Sequence, residues 1–546
     1  MRQRLKQDFD SIHIPASGVS KKTVGKYIYV YHIGKGYRNE KGQPTNDKTA
    51  IGKVIEGTDR MIPNENYFEI YGGKPGLEIK VDAILNYGNY YLLKLISEEI
   101  GLTRVINNVF GEEDGTKMLM LAIYMALTGD PMYRCDSWCR ETLVENILTS
   151  ASITRLLTKI DESQRMDFFR AWVNVRQQYE YLAYDISSIS SYARGIDLVE
   201  YGYNRDGESL PQINIGIYYG EQSKMPVFYC TYKGSIVDKS ALPYMMQYND
   251  ALGIKDVCFV MDRGFFKEDN ITGLAHKYKY IFGVSNSLLL AKEMIKKHGS
   301  TVQSSEYDIK NDEATGMAIM DNRYGFRSHI MLYHSLEKKA GEKAILKAKL
   351  DKWEELLKEG KTFEKANDYF TVEIKQDGEE TEYIVKRKHN VIDEEIDNLG
   401  YFLMITTDLR KTPEEILNIY RMKDVAEKCF DLLKHAVDMN RLRVHSEETL
   451  DGKTFVSFIS LILLSYVHNV LKEYQYKKKL SLDQIFDELR MIKVIKTTDG
   501  MVMQNHITKK QRTILEFFGV DEDRIKGSLK KYDTIPDFYY DYECNI

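Results

Sequence analysis

The apolar positions change period several times along the chain, and each change marks a different kind of element. Residues 26–34 alternate with period two, a polar stretch at 38–48 contains Gly42 and Pro44, and 49–55 alternates again, which predicts a small β-hairpin unit. From 84 to about 160 the period is helical: Leu92, Leu93, Leu95, Ile96 and Ile100 share one face, and 118–127 is almost wholly apolar. Short β-rich runs follow at 179–186, 212–219, 227–232, 257–261 and 278–284, with a helix expected at 239–253 between the third and the fourth. Residues 336–359 form a highly charged helical stretch containing Trp353, and Gln376-Asp377-Gly378 between two β runs signals a hairpin. The β pattern resumes at 401–406. Thr412-Pro413-Glu414-Glu415 then opens a long helix at 413–437, with Thr412 as N-cap, Pro413 in the first position and Glu415 closing a capping box.

Three strands, a helix, a strand and one more strand is the order of an RNase H-like sheet. The expected architecture is therefore α/β: an RNase H-like mixed-sheet core interrupted by an α+β insertion, preceded by a basic β-hairpin domain and a helical domain. The expected divisions are 1–75 (basic, β-rich, DNA-binding), 76–165 (helical), 166–285 (core, first part), 286–400 (insertion), 401–475 (core, second part) and 476–546 (helical, for dimerisation or DNA contact).

Composition narrows the class. At 546 residues and 43% hydrophobic content the chain can build several cores. Its longest apolar run, 455–467, is interrupted by Ser457, Ser460 and Ser465 and is short of the ~20 residues of a spanning helix, so no membrane partner is expected. The basic start Met1-Arg2-Gln3-Arg4-Leu5-Lys6 has no apolar segment behind it, and the cytoplasm is the expected location. Six cysteines give no disulfide framework; Cys135 and Cys139 lack a second ligand pair at zinc spacing and read as buried thiols.

A net charge of −5 argues against coating nucleic acid through bulk charge. Locally the balance reverses: the first sixty residues hold twelve Lys or Arg against six Asp or Glu, an excess of six, interleaved with Tyr27, Tyr29, Tyr31 and Tyr37. Strands of that kind contact phosphates and bases, or form a solvated edge whose lysines block aggregation.

Two acids stand where such a sheet exposes them. Asp185 follows Tyr181-Leu182-Ala183-Tyr184, and Asp262 follows Val257-Cys258-Phe259-Val260-Met261. Carboxylates at the ends of neighbouring strands can share a divalent ion of the Mg2+ or Mn2+ type, although each alone can equally be a turn-forming cap. On the 413–437 helix, Tyr420, Lys423, Glu427 and Lys434 fall within an arc of roughly 60 degrees, at about 100 degrees per residue. Val425, Ala426, Cys429, Leu432, Leu433 and Ala436 lie opposite. The polar face suits a metal and a phosphate together; it also suits a plain Lys423–Glu427 pair, with Asp424 and Asp431 as equal candidates on the same side.

In this order the blocks resemble the insertion-sequence transposases of the DDE superfamily, whose last block reads Tyr, two residues, Arg, three, Glu, six, Lys. Tyr420, Glu427 and Lys434 match; Lys423 stands at the Arg position, with Arg421 beside it to compensate. The resemblance extends to Tyr184-Asp185-Ile186-Ser187-Ser188, to Met261-Asp262-Arg263-Gly264-Phe265-Phe266, to the insertion and to the basic N-terminal hairpin. It implies catalytic, metal-binding carboxylates at Asp185, Asp262 and Glu427, two Mg2+ or Mn2+ ions, and phosphate positioning by Tyr420, Lys423, Lys434 and Arg263. It implies cleavage at terminal inverted repeats and joining of 3′-hydroxyl ends to target double-stranded DNA, by a homodimer at paired ends. Trp353 is a candidate for stacking on a displaced base or for packing its own domain. A related nuclease that does not join strands, and a DNA-binding protein that does not cut, are the rival readings.

Overall fold

A computed structural model describes residues 11–72, 81–176, 181–255, 257–310, 312–377, 380–421, 423–437, 439–497 and 502–530. The N-terminal basic run, the first two residues of the expected 179–186 strand and the Gly378 turn lie outside them. Two compact units are defined, one running through Ala83 with a short piece from Lys496, the other comprising Ile84–Ile495 and Val502–Lys531.

The first unit is a five-stranded antiparallel sheet of β1 (Ile12–His13), β2 (Val19–Val24), β3 (Tyr27–Arg38), β4 (Pro44–Val54) and β5 (Arg60–Pro63), ordered β1-β5-β4-β3-β2. The expected hairpin is its β3–β4 pair. The Asn39 side chain closes the turn by accepting from the Lys41 and Gln43 amides, both at 3.0 Å. Val30, Ile51 and Met61 form the small core, because inward positions of alternating strands converge on one face. The strand β6 (Val81–Asn86) leads onward.

The second unit is mixed α/β. Its helical part follows the periodicity: Gly88–Glu99, Leu102–Phe110, Glu112–Thr128, Ser150–Lys159 and Glu162–Arg176 are helices. Through its middle runs the helix Glu447–Lys478, long and apolar enough to cross a membrane by length and composition, yet 78% of its apolar window is buried within the protein. Ser460 donates to the Ala122 carbonyl at 2.8 Å, so a serine that interrupts the apolar run serves a close helix crossing. Cys135 and Cys139 are buried, 3.8 Å apart at sulfur. The apolar stripe Leu482, Ile485, Phe486 and Leu489 of the helix Leu482–Arg490 is buried inside this unit, so a second copy is not needed to cover it.

An eight-stranded mixed sheet forms the other half. Its members are β7 (Tyr181–Ser190), β8 (Gln212–Gly220), β9 (Pro226–Lys233), β10 (Cys258–Met261), β11 (Lys279–Val284), β12 (Ala314–Asp321), β13 (Ser328–Ser335) and β16 (Tyr401–Thr406). The order is β12-β13-β16-β11-β10-β7-β8-β9, with β7, β10 and β11 parallel and the other pairs antiparallel. The five expected strands and the helix Asp238–Leu252 are present in the expected order.

The stretch expected as one separate insertion divides. β12 and β13 join the main sheet, and β13 is buried between two neighbours. Only the part from Leu336 onward, with the helix Leu336–Lys358 and the hairpin β14 (Phe370–Asp377) and β15 (Glu380–Arg387), has its own core around Leu346, Leu350, Leu357 and Phe370. The sequences Ala-Thr-Gly-Met-Ala-Ile-Met-Asp and Ser-His-Ile-Met-Leu-Tyr-His-Ser hide their strands because Met, Gly and His dilute the β-branched signal that alternation depends on.

Candidate active site

β7 and β10 run parallel in a register that pairs Tyr184 with Met261. The residue after each is an acid: Asp185 continues β7 and Asp262 is the first residue past β10, so the register sets the two beside each other where β10 ends. β7 itself continues to Ser190, because β8 pairs with it along its whole length and sets Ile217 opposite Asp185. Asp185 therefore lies mid-strand and half-buried. Burial pushes its carboxyl up to about 6; the Ile186 amide, Arg205 and Lys423 oppose the rise, and Glu427 adds to it.

The third strand of this parallel set carries a glycine at the same level. A Cβ on Gly283 would meet the Tyr420 hydroxyl at 2.3 Å and the Arg263 amide nitrogen at 3.1 Å. Without one, Tyr420 lies across the strand and donates to Asp262 Oδ1 at 2.9 Å. Its hydroxyl is held well above its ordinary range, first by burial and then by the neighbouring carboxylate.

The helix carrying Tyr420 is placed by its sequence. Thr412 and Glu415 form the expected capping box, with amide-to-side-chain bonds of 3.2 and 2.9 Å. Ile416, Leu417 and Ile419 then bury against Val260, Ile281, Met331 and Met404 on the sheet. Burial of side chains of this kind contributes about 1.5–3 kcal/mol each. The helix Lys423–Asp431 packs on β7 and β8. It brings Lys423 between two acids, with Nζ 2.9 Å from Glu427 and 3.6 Å from Asp262. Burial alone would lower the Lys423 ammonium; the Glu427 bond and the Asp262 and Asp185 charges outweigh it, and the net direction is upward.

Asp185, Asp262, Glu427, Tyr420 and Lys423 are thus one connected group, and Arg263 is exposed at its edge. Lys434 has a different partner. It is 7% exposed and donates to both oxygens of Asp206 at 2.8 and 2.7 Å. A single π turn, Leu432–Ala436, ends the helical run and shifts the phase that ideal 3.6-residue spacing assigns to position 434. Arg421 does not compensate for Lys423; it is ion-paired with Asp312. Trp353 packs on Phe363 and Tyr369, with ring centroids 4.9 and 5.8 Å away, and with the Lys349 ammonium 4.4 Å from its own.

Sequence reasoning missed Arg205, Asp206 and Gly283. The first two lie in a polar loop with no periodicity, and a glycine's value as empty space shows only when its neighbour across the sheet is known.

All three acids offer hard oxygen donors, the chemistry that Mg2+ and Mn2+ take. A cation already sits between two of them as the Lys423 ammonium. Among the described residues no three acidic, His or Cys side chains stand at metal-cage spacing.

In the N-terminal unit, Tyr27 is exposed with the Lys53 and Lys26 ammonium groups 3.4 and 5.3 Å from its ring centroid, and Val24, Ile28 and Tyr37 are exposed beside the basic strands.

No family model matches the chain, and no curated protein matches it. Among solved structures it is similar to a piggyBac transposase in a synaptic complex with hairpin DNA determined by cryo-electron microscopy. The TM-score is 0.34 and the identity 11%, over 76% of this chain and 70% of that one. A likeness of that size carries no argument.

Proposed function

We propose that this chain is a DDE-type DNA transposase with an RNase H-like core, cutting at the terminal inverted repeats of a mobile element and joining the 3′-hydroxyl ends to target DNA. The observation that carries the reading is the placement of Asp185 and Asp262 on adjacent parallel strands, with Lys423 linking Asp262 to Glu427 on the helix across them. The strand order β9-β8-β7-β10-β11, antiparallel then parallel, also fits an RNase H-like sheet.

Asp185, Asp262 and Glu427 would hold two Mg2+ or Mn2+ ions, which supply activation of water or a 3′-hydroxyl and stabilisation of the leaving oxygen. The remaining roles belong to side chains. Tyr420 fixes the rotamer of Asp262 through its hydroxyl. Lys423 neutralises the carboxylates and moves onto a phosphate when DNA arrives, as a point charge without the two-pronged grip of an arginine. Arg263, exposed next to Asp262, contacts the strand being cut. The basic β3–β4 face of the N-terminal unit contacts the DNA backbone, and two copies act on paired ends.

The test is cleavage of a labelled duplex spanning the boundary of the DNA element that encodes the chain, with Mg2+ or Mn2+, followed by transfer of a pre-cut end into plasmid. Cutting without transfer would reduce the reading to a nuclease, and binding without cutting would reduce it to a DNA-binding protein.

A further inference from the structure

Beyond Asp185, β7 runs five residues to Ser190, roughly 17 Å at a rise of about 3.4 Å per residue. There Ser190 bridges to Arg441, and the Leu442 amide donates to the Ser190 carbonyl at 3.3 Å. Between the two segments opens a solvent-facing cleft of about 660 Å3, lined by Tyr192, Arg194, Arg441, Arg443 and His445 and by no acidic residue. Glu208 holds Arg441 from outside the lining at 2.6 Å. Arg194 makes no ion pair among the described residues. Arg443 adopts a left-handed backbone, φ 48, a conformation costly for an arginine and one that persists where the surroundings impose it.

Three tyrosines stand out around the same strand end. Tyr192, Tyr201 and Tyr203 are 73%, 73% and 79% exposed, although burial of an aromatic ring is among the largest gains a side chain can offer. Two of them are not on a loose loop. A Cβ on Gly202, between Tyr201 and Tyr203, would meet the Gly234 carbonyl at 1.9 Å, so the backbone there is pinned against another strand connection. On one side Glu200 exchanges backbone bonds of 3.0 and 2.9 Å with Gln212; on the other the Tyr203 carbonyl accepts from Gln212 Nε2 at 2.9 Å. The chain thus holds these rings in water on a fixed backbone.

We infer that the end of β7 carries a binding site for single-stranded DNA, with Tyr192, Tyr201 and Tyr203 stacking on unpaired bases and Arg194, Arg441 and Arg443 contacting the phosphates. Rings and cations combined at one edge are the composition that takes a single strand, whose base faces are open; a duplex hides those faces and needs only the charges. The site lies a few nucleotides from Asp185 and takes the strand separated near the cut. This inference rests on the DNA reading above.

The experiment measures anisotropy of a fluorescein-labelled oligothymidylate of about 12 nucleotides, within the usual span of such sites. EDTA is present, so that nothing is cut. A 2-aminopurine-containing strand reports stacking by its quenching. The full chain is compared with Tyr201→Ala/Tyr203→Ala, with Tyr201→Phe/Tyr203→Phe and with Arg194→Ala/Arg443→Ala. Circular dichroism checks the fold.

Loss of single-strand affinity by roughly tenfold or more in the alanine variant, with the phenylalanine variant retaining both affinity and quenching, is the expected result. The arginine variant should weaken binding and flatten its salt dependence. Single-strand binding equal in all four proteins, or absent while the boundary duplex is still bound and cut, overturns this inference and leaves the transposase reading standing. Failure to bind or cut any DNA removes both.

Discussion

The Tyr420 hydroxyl donates to Asp262 at 2.9 Å from a helix that begins 151 residues further along the chain, and it reaches because Gly283 has no side chain. Three separate segments thereby fix one carboxylate. Tyr420→Phe keeps the ring and removes the bond, so stability should fall by only about 0.5–1.5 kcal/mol. Gly283→Ala should cost more, about 1–3 kcal/mol, because the added methyl forces the Tyr420 ring aside. Urea denaturation of the two variants checks the order; equal costs would mean that the ring is free to move.

Lys423 fills the space between Asp262 and Glu427 with its ammonium. Lys423→Met should lower metal-free stability by no more than about 1 kcal/mol, since Glu427 is more than half exposed and solvent screens the pair. The same change should tighten Mn2+ binding, because the ion no longer competes with a resident cation. Titration calorimetry with Mn2+ alone reads this directly. Weaker binding in the variant would show that Lys423 supports the ion instead.

Asp185 gives a pH signature. Its carboxyl is raised from 3.8 to about 6, so the protonated form is favoured by folding. The stabilising contribution is complete below the unfolded value and is lost as pH rises through about 6. The stability of the metal-free protein relative to Asp185→Asn should therefore fall between about pH 4 and 7, by on the order of 3 kcal/mol. Excess Mg2+ should reverse the fall. A difference independent of pH would place Asp185 in an ordinary solvated setting.

Lys434 and Asp206 form a pair whose lysine is buried and whose aspartate is half-exposed. Asp206→Asn should destabilise by about 1–3 kcal/mol by leaving the ammonium without its counter-charge, whereas Lys434→Met should be nearly neutral. Lys434→Met should also leave cleavage intact; loss of cleavage in that variant would show that Lys434 acts on DNA phosphates.

The alternation at 26–34 and 49–55, the five core strands and the Thr412 capping box were legible because each is a local pattern with a local cause. The grouping of Asp185 with Asp262 was legible in part, since each acid follows an apolar β run, but their register depends on pairing between residues 77 positions apart and no local signal encodes it. The position of Lys434 was not legible, because a π turn changes the phase that regular spacing assumes. Nor were β12 and β13, since β13 joins the main sheet by pairing with β16, and β12 joins it only by pairing with β13. Lys423 between the acids was visible only as an i,i+4 pair with Glu427; its contact with Asp262 is tertiary.

The most direct test of the central claim is cleavage of the element-boundary duplex by wild type, Asp185→Asn, Asp262→Asn and Glu427→Gln, each with Mg2+, with Mn2+ and with EDTA. Metal-dependent cuts at the boundary by wild type, lost in all three variants while their duplex binding persists, are the predicted result. Wild-type cutting by Glu427→Gln, or cutting that survives EDTA, would contradict the assignment of these three carboxylates as one metal-dependent site.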